Sequence, residues 1–370
     1  MINNSGADKV VLVTGGAGFI GSHTAKALFR NGYRPVVFDN LSAGYREAVR
    51  WGAFVHGDIR DRGALGRALA EHHPVAVIHF AGLIEVGRSM TRPDLFFETN
   101  VGGTATLLSA MRDHGVPRLV FSSSAAVYGQ PSDEDPLAPL REDAAKAPSS
   151  PYGETKLIGE RMIEAHCRAF GLTAVALRYF NAAGSDSEGE LGECHDPETH
   201  LIPLAIDAGL GLGKPLTVFG RDFDTPDGSC VRDYVHVEDL ASAHVAALGP
   251  SVQSGSFEAL NVGTGRGHSV LEVVAAVDRA LETSTLSLVG DRREGDPACL
   301  VADPGRIRER FGWSAPNSLL SRIVETAIAW RRAPKFSGQP REAAPRVPTA
   351  PASAPNVTRL EGRGLSEPAS

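Results

Sequence analysis

Tyr152 and Lys156 stand four residues apart in the stretch SPYGETKL, residues 150–157. On a helix that spacing places both side chains on one face. A phenol has a pKa near 10 and is a poor base at neutral pH. A neighbouring cation favours the phenolate and makes it a usable proton acceptor. The pair alone is commonplace, and it gains meaning from SSSAAVYG, residues 122–129, which ends a predicted strand and supplies Ser124. Ligands of open α/β sheets bind at that strand edge, and Ser124 precedes Tyr152 by 28 residues, room for one loop. The three side chains can therefore converge, with serine relaying the proton of a substrate hydroxyl to the tyrosine.

A second group with chemical meaning is TGGAGFIG, which sets Gly15, Gly18 and Gly21 three apart between a predicted strand and a predicted helix. Such glycines allow a tight turn and close backbone approach, so a pyrophosphate can rest on the helix N-terminus. Asp39 ends the next strand, 18 residues past Gly21. A carboxylate there accepts hydrogen bonds from ribose hydroxyls and repels a 2′-phosphate, which favours NAD over NADP. Asp58 in HGDIRD follows a third strand and is placed to reach the adenine side or, alternatively, to cap the helix that starts near Asp61.

The elements that must position these groups follow from hydrophobic pattern. KVVLVT (9–14), PVVFD (35–39), VAVIHF (75–80), RLVFSSS (118–124) and TAVALRYF (173–180) are short apolar runs of buried strands, with helical patterns between them, notably 94–114 and 153–170. That alternation predicts an α/β fold, a Rossmann-type doubly wound parallel sheet. After about residue 185 short strands and glycine turns take over, with helices near 200–210, 238–248, 269–282 and 317–332. The expected organisation is a cofactor-binding domain over 1–185, a smaller α/β substrate-capping domain over 186–333, and segments near 231–265, such as LNVGTG, returning to the first. From 334 to 370 the chain is rich in Pro and Ala and is expected to be a disordered tail. A net charge of −7 and a pI near 6.0 argue against a nucleic-acid binder. No apolar run approaches a membrane span and no signal peptide is visible. Four scattered cysteines without a C-x-x-C pair fit a reducing cytoplasm.

In order and spacing, TGGAGFIGSHT, DNLSAG, GDIRD, HFAG, TNVGGT, SSSAAVYG, SPYGETK, RYFNAAG, VRDYVHVEDLA, NVGTG and RREGDPACLVAD resemble the extended short-chain dehydrogenase/reductase family. Within it they resemble the NAD-dependent epimerases that interconvert UDP-glucose and UDP-galactose. The resemblance runs from about residue 9 to about 332. It implies cofactor contacts from Phe19, Ile20, Asn40, Ile59, Phe80, Ala81, Gly82, Asn100, Ser122 and Tyr179, with Lys156 on the nicotinamide ribose. It implies a UDP-sugar held by Asn181, His200, Leu201, Thr217 and Phe219, its diphosphate clamped by Arg232 and Arg293, and its uridine ribose bound by Asp296. Guanidinium forks match phosphate oxygens; an ion pair to Asp233 or Glu238 is the plainer role for Arg232. Leu300 occupies the position where side-chain bulk limits N-acetyl groups, which favours UDP-hexoses.

The resemblance also implies the route: oxidation at C4 with Tyr152 taking the hydroxyl proton, rotation of the 4-keto sugar, and return of hydride to the opposite face. A homodimer joined through helices 94–114 and 153–170 is implied too. Some residues depart from the family pattern. Ile84 replaces a lysine of many relatives, and His200 an asparagine of some. Dehydratase relatives carry Asp-Glu where this chain has Ala125 and Ala126, and decarboxylating relatives usually carry Glu there, which argues against both. Epimerases of UDP-N-acetylhexosamines, UDP-glucuronate or UDP-pentoses are the nearer alternatives, and a non-catalytic NAD-sensing regulator a further one. Cys194, His195 and His200 in CHDPETH do not have standard zinc spacing, so the segment is expected to be a loop and no metal is expected. His79 is expected to be a packed sheet residue.

Overall fold

A computed structural model describes residues 9–130, 137–249, 252–293 and 295–336. Its first half runs β1 (Val10–Thr14), α1 (Phe19–Arg30), β2 (Arg34–Asp39), β3 (Ala53–His56), α2 (Arg62–His72), β4 (Ala76–His79), α3 (Val86–Thr91), α4 (Pro93–Phe96), α5 (Gly103–Asp113), β5 (Arg118–Ser124), α6 (Pro151–Phe170) and β6 (Thr173–Tyr179). The second half runs β7 (Asn181–Ala183), α7 (Leu201–Gly209), β8 (Leu216–Phe219), β9 (Val231–His236), α8 (Val237–Ala247), β10 (Phe257–Val262), β11 (Gly267–Ser269), α9 (Val270–Leu281), β12 (Ser287–Gly290), β13 (Cys299–Leu300), α10 (Gly305–Phe311) and α11 (Leu320–Arg332).

Seven strands form one parallel sheet in the order β10-β6-β5-β4-β1-β2-β3. The β1 run VVLVT is buried throughout because both sheet faces are covered. Its residues alternate between two cores. Leu12 joins Val36, Phe38, Leu65, Leu107 and Leu119 on one face. Val11 and Val13 join Leu28, Ile78, Val120 and Leu240 on the other. Burying each such side chain is worth about 1.5–3 kcal/mol. From β1 the chain winds outward to β2 and β3, then crosses back to β4 on the other side. That reversal opens a crevice at the strands' C-terminal ends.

The LNVGTG segment lies on this sheet: β10 pairs with β6, Phe257 against Ala174 through Val262 against Tyr179. The remaining short strands make a small sheet of β11, β9, β13 and β7 and a pair, β8 with β12. A third core, including Ile202, Ile206, Val273, Val277, Ile323 and Ile328, knits α7, α9 and α11 together.

The helix expected over 94–114 runs from Pro93 to Asp113 and widens into a π turn at Phe97–Gly102, which holds Asn100. One expectation needs correction. The expected tail over 334–370 does not begin at 334, because Phe336 is buried against Tyr45, Trp330 and Leu191. It is the one large aromatic in a polar stretch, and the long-range partner that captures it is invisible locally. The rest of the expected tail, 337–370, lies outside the described residues.

Candidate active site

The glycine loop fits a dinucleotide on its own geometry. A Cβ at Gly15 would lie 2.5 Å from the Ala81 amide nitrogen, and one at Gly21 would lie 2.3 Å from the Gly15 carbonyl oxygen. Those two glycines let the turn, α1 and the β4 loop close on one another. A Cβ at Gly18 would meet nothing nearer than 3.4 Å. Gly18 precedes α1 and no side chain caps that helix, so its first-turn amides are available to a phosphate. Phe19 and Ile20 open the helix, and Ile20 packs on the core beneath.

Asp39, the expected ribose ligand, is braced by the backbone. Its carboxylate accepts from the Ala17 amide at 3.0 Å and the Leu41 amide at 2.8 Å. Burial pushes its carboxyl up, and the two amides oppose that. Asn40 donates to Asp58 at 2.9 Å. The Arg60 guanidinium holds Asp58 down at about 2, against a smaller effect of burial. Asp58 does not cap α2; Asp61 does, accepting from Gly63 and Ala64. The Ile59 side chain is packed in the core, so any nucleotide contact it makes is through its main chain. Phe80 and Ala81 hang from β1, both amides donating to the Thr14 carbonyl, and Phe80 packs on His244. Asn100 spends its amide on Leu83 and Thr155, so it shapes the wall beside Gly82 instead of presenting a free amide. His79 is indeed a packed sheet residue, hydrogen-bonded to Thr14 and Thr104, with burial pushing its imidazole down to about 3.

Ser124, Tyr152 and Lys156 come together. Ser124 ends β5 and is held by the Ala126 amide, 3.2 Å from its Oγ. Ser150 caps α6 through the Gly153 amide and Pro151 follows it, a sound helix start. One turn then carries Tyr152 and Lys156 into the crevice. The Lys156 ammonium lies 5.8 Å from the Tyr152 ring centre and donates to the Ser122 carbonyl at 2.8 Å. Burial pushes the Tyr152 phenol up, opposed by its hydrogen bond with Ser124. Burial also lowers Lys156 to about 8. The lysine is anchored to a carbonyl and not to the phenol. Tyr179 hydrogen-bonds Ser122 and supports the strand carrying the trio.

Sequence reasoning missed the group beneath the trio. Glu160 lies on α6 one further turn beyond Lys156. It accepts from Ser123 at 2.5 Å and from Arg178 at 2.9 and 2.6 Å. Arg178 also reaches Tyr128 at 2.9 Å, and Tyr128 donates to Asn261 at 2.6 Å. This buried chain joins β5, α6, β6 and β10. The available signal was an arginine in an apolar strand and a glutamate on the inward face of α6.

The other half of the crevice is more dispersed. Asn181 starts β7, opposite Tyr234 of β9. Leu300 lies beside Arg232 in register and packs on the cluster of Ala125, Val127 and Leu157 under the Ser124 turn. Thr217 and Phe219 lie on β8, and the Arg293 guanidinium stacks 5.2 Å from the Phe219 ring centre. Arg232 pairs with neither Asp233 nor Glu238. It reaches Asp296 at 2.7 Å, and Arg293 reaches the same carboxylate at 2.8 Å. The two clamp arginines and the expected ribose acid thus form one triad, 232–293–296. His200, directly before Leu201 at the start of α7, is paired with Glu193.

A parallel sheet with a glycine loop at its switch point, and a Ser-Tyr-Lys set beside it, defines a dinucleotide-dependent enzyme acting on a hydroxyl-bearing carbon. The chain belongs to the NAD dependent epimerase/dehydratase family, whose sequence profile matches residues 11–263. It is 50% identical over 325 residues to a UDP-glucose 4-epimerase of Rhizobium leguminosarum bv. trifolii, covering 88% of this chain and 98% of that one. The solved UDP-glucose 4-epimerase of Brucella ovis in complex with NAD superposes with a TM-score of 0.83 at 50% identity, covering 86% of this chain and 97% of that one. That of Bifidobacterium longum, in complex with NAD+ and UDP, gives 0.82 at 36% identity, covering 87% and 98%.

Proposed function

We propose that the chain epimerises C4 of a UDP-hexose, interconverting UDP-glucose and UDP-galactose, with NAD as its resident cofactor. The observation that carries this is the convergence of Ser124, Tyr152 and Lys156 beside a dinucleotide cradle, with Ala125 and Ala126 where an eliminating relative needs acids. The C4 hydrogen of a hexose has no adjacent carbonyl and cannot leave as a proton. NAD, when bound, supplies an acceptor for that hydrogen as hydride and gives it back.

The residues of this chain do the rest. Tyr152 takes the 4-hydroxyl proton, directly or through Ser124, and later returns it. Lys156, fixed by the Ser122 carbonyl, holds positive charge near the developing phenolate. Arg232, Arg293 and Asp296 hold the nucleotide diphosphate and ribose. Binding energy remote from C4 then fixes the UDP while the 4-keto sugar turns. The cradle of Gly15, Gly18, Gly21 and Asp39 keeps the cofactor in place between turnovers, since no net redox change occurs.

Incubation of the purified protein with UDP-galactose and no added cofactor should yield UDP-glucose, with no tritium entering C4 from tritiated water. Label uptake at C4 would refute hydride return. UDP-N-acetylgalactosamine and UDP-xylose run in parallel test the sugar preference, for which the Leu300 position supports unsubstituted hexoses.

A C2 homodimer is part of the proposal, supported by exposed Phe97 on one of the helices expected to pair and exposed Met90 on the preceding α3. So is a reducing, cytoplasmic setting, supported by four free cysteines. Among the described residues no helix is long and apolar enough to cross a membrane.

A further inference from the structure

The segment between β7 and α7 holds a second cluster of titratable groups, outside the catalytic trio. The zinc set weighed from sequence, Cys194 with His195 and His200, does not form. Cys194 turns away toward the Phe336 carbonyl, 3.8 Å from its sulfur. The fold brings Glu193 and Glu198 to the two histidines instead. Glu193, His195, Glu198 and His200 each offer one donor atom, and all four donors lie within 4.8 Å of one another. Both histidines present Nδ1. That of His195 lies 3.0 Å from Glu193 and 3.9 Å from Glu198. That of His200 contacts Glu193 and lies 3.6 Å from Glu198.

We infer that Glu193, His195, Glu198 and His200 form a structural site for a divalent cation of the zinc class. Four observations carry this. First, the donor set is two imidazoles and two carboxylates, which suits zinc. Bonds of about 2.0–2.2 Å in a tetrahedron put donors about 3.3–3.6 Å apart, the range these donors straddle. Second, the Glu193 and Glu198 side chains are only 7% and 9% exposed, and two buried carboxylates side by side call for positive charge.

Third, Glu198 is only half satisfied. Its Oε1 is held by the Thr199 and His200 amides at 2.8 and 2.9 Å, while its buried Oε2 has no hydrogen-bond partner. Fourth, among the described residues no lysine or arginine forms an ion pair with these carboxylates; Arg331, which acts on Glu198 from farther off, is paired with Asp207. The comparable acidic group of Asp186, Glu188 and Glu190 differs, because the Lys26 ammonium occupies it at 2.6, 3.0 and 2.8 Å. A divalent ion with two neutral imidazoles would balance the two carboxylates completely.

The ion's place in the fold makes it a clip. The Glu193 carbonyl accepts from Trp330 of α11 at 2.9 Å, His195 meets Phe19 of the glycine loop edge-on at 6.3 Å, and His200 precedes α7. One ion would thus tie the start of α7 to the segment that rests on the cofactor cradle.

The test uses the full chain, stripped with a chelator and dialysed, then titrated with Zn2+ alone by calorimetry with metal content measured in parallel. One equivalent per chain is expected, with a rise in melting temperature. Glu198→Gln and His195→Gln should each weaken binding at least about 10-fold, the effect typical of disturbing even a supporting residue. Cys194→Ser should bind as the parent does. Co2+ in the parent should give the absorption of a four-coordinate ion without a thiolate charge-transfer band, a readout that does not depend on any variant folding. Absence of stoichiometric uptake, uptake unchanged in both ligand variants, or a thiolate band would each overturn the inference.

Discussion

Tyr152 carries the chemistry of the proposed reaction, yet its surroundings raise its pKa. The protein alone therefore keeps it a phenol, and proton acceptance is tied to the loaded site. Tyr152→Phe is predicted to lower kcat by about 10²- to 10⁴-fold, the usual share of a general base, with KM little changed. A coupled assay on UDP-galactose reads this directly. His200 makes a second residue-level prediction. Burial disfavours its charge, but the Glu193 carboxylate overrides that and lifts its pKa from 6.5 to about 9. A raised folded-state pKa stabilises fully below the unfolded value and is lost as pH climbs through the folded one. Metal-stripped protein should therefore lose melting temperature between pH 6.5 and 9, and His200→Gln should flatten that slope. What was legible at this scale was residue type and spacing: Ser124, Tyr152, Lys156 and the three glycines. What was not legible was the burial of Tyr152 and Lys156, which only packing sets.

Among the elements, α6 matters most, because it presents Tyr152 and Lys156 on one face and Glu160 a turn later. The Glu160–Arg178 pair, 4% and 5% exposed at the side chains, locks that helix to β6. Removing one member of a buried pair leaves an uncompensated charge and costs about 3–5 kcal/mol. Arg178→Ala should show a loss of that size in urea unfolding, whereas Glu154→Gln, on the same helix but outside the network, should show little. Strand positions were readable from apolar runs such as VVLVT, since a doubly covered parallel sheet demands them. The π turn at Phe97–Gly102 was not. It goes with the contacts of Asn100 to Leu83 and Thr155, both distant in sequence.

At the scale of the whole molecule, the helices around Phe97 and Met90 carry apolar side chains that a solitary chain leaves in water. Light scattering behind gel filtration should give twice the 39.1 kDa of one chain, and Phe97→Asp should give the single-chain mass. A tail from 334 was inferred from composition, and Phe336 broke the rule because one aromatic with a waiting niche outweighs a polar neighbourhood. The placement of β10 bears on how the protein is made. Translation must pass residue 262 before the cofactor sheet has its last strand. The nascent chain therefore carries an open edge along β6 throughout synthesis of β7 to α8. During that interval it is exposed to pairing with another unfinished copy, so slower initiation on the message should improve the yield of native enzyme.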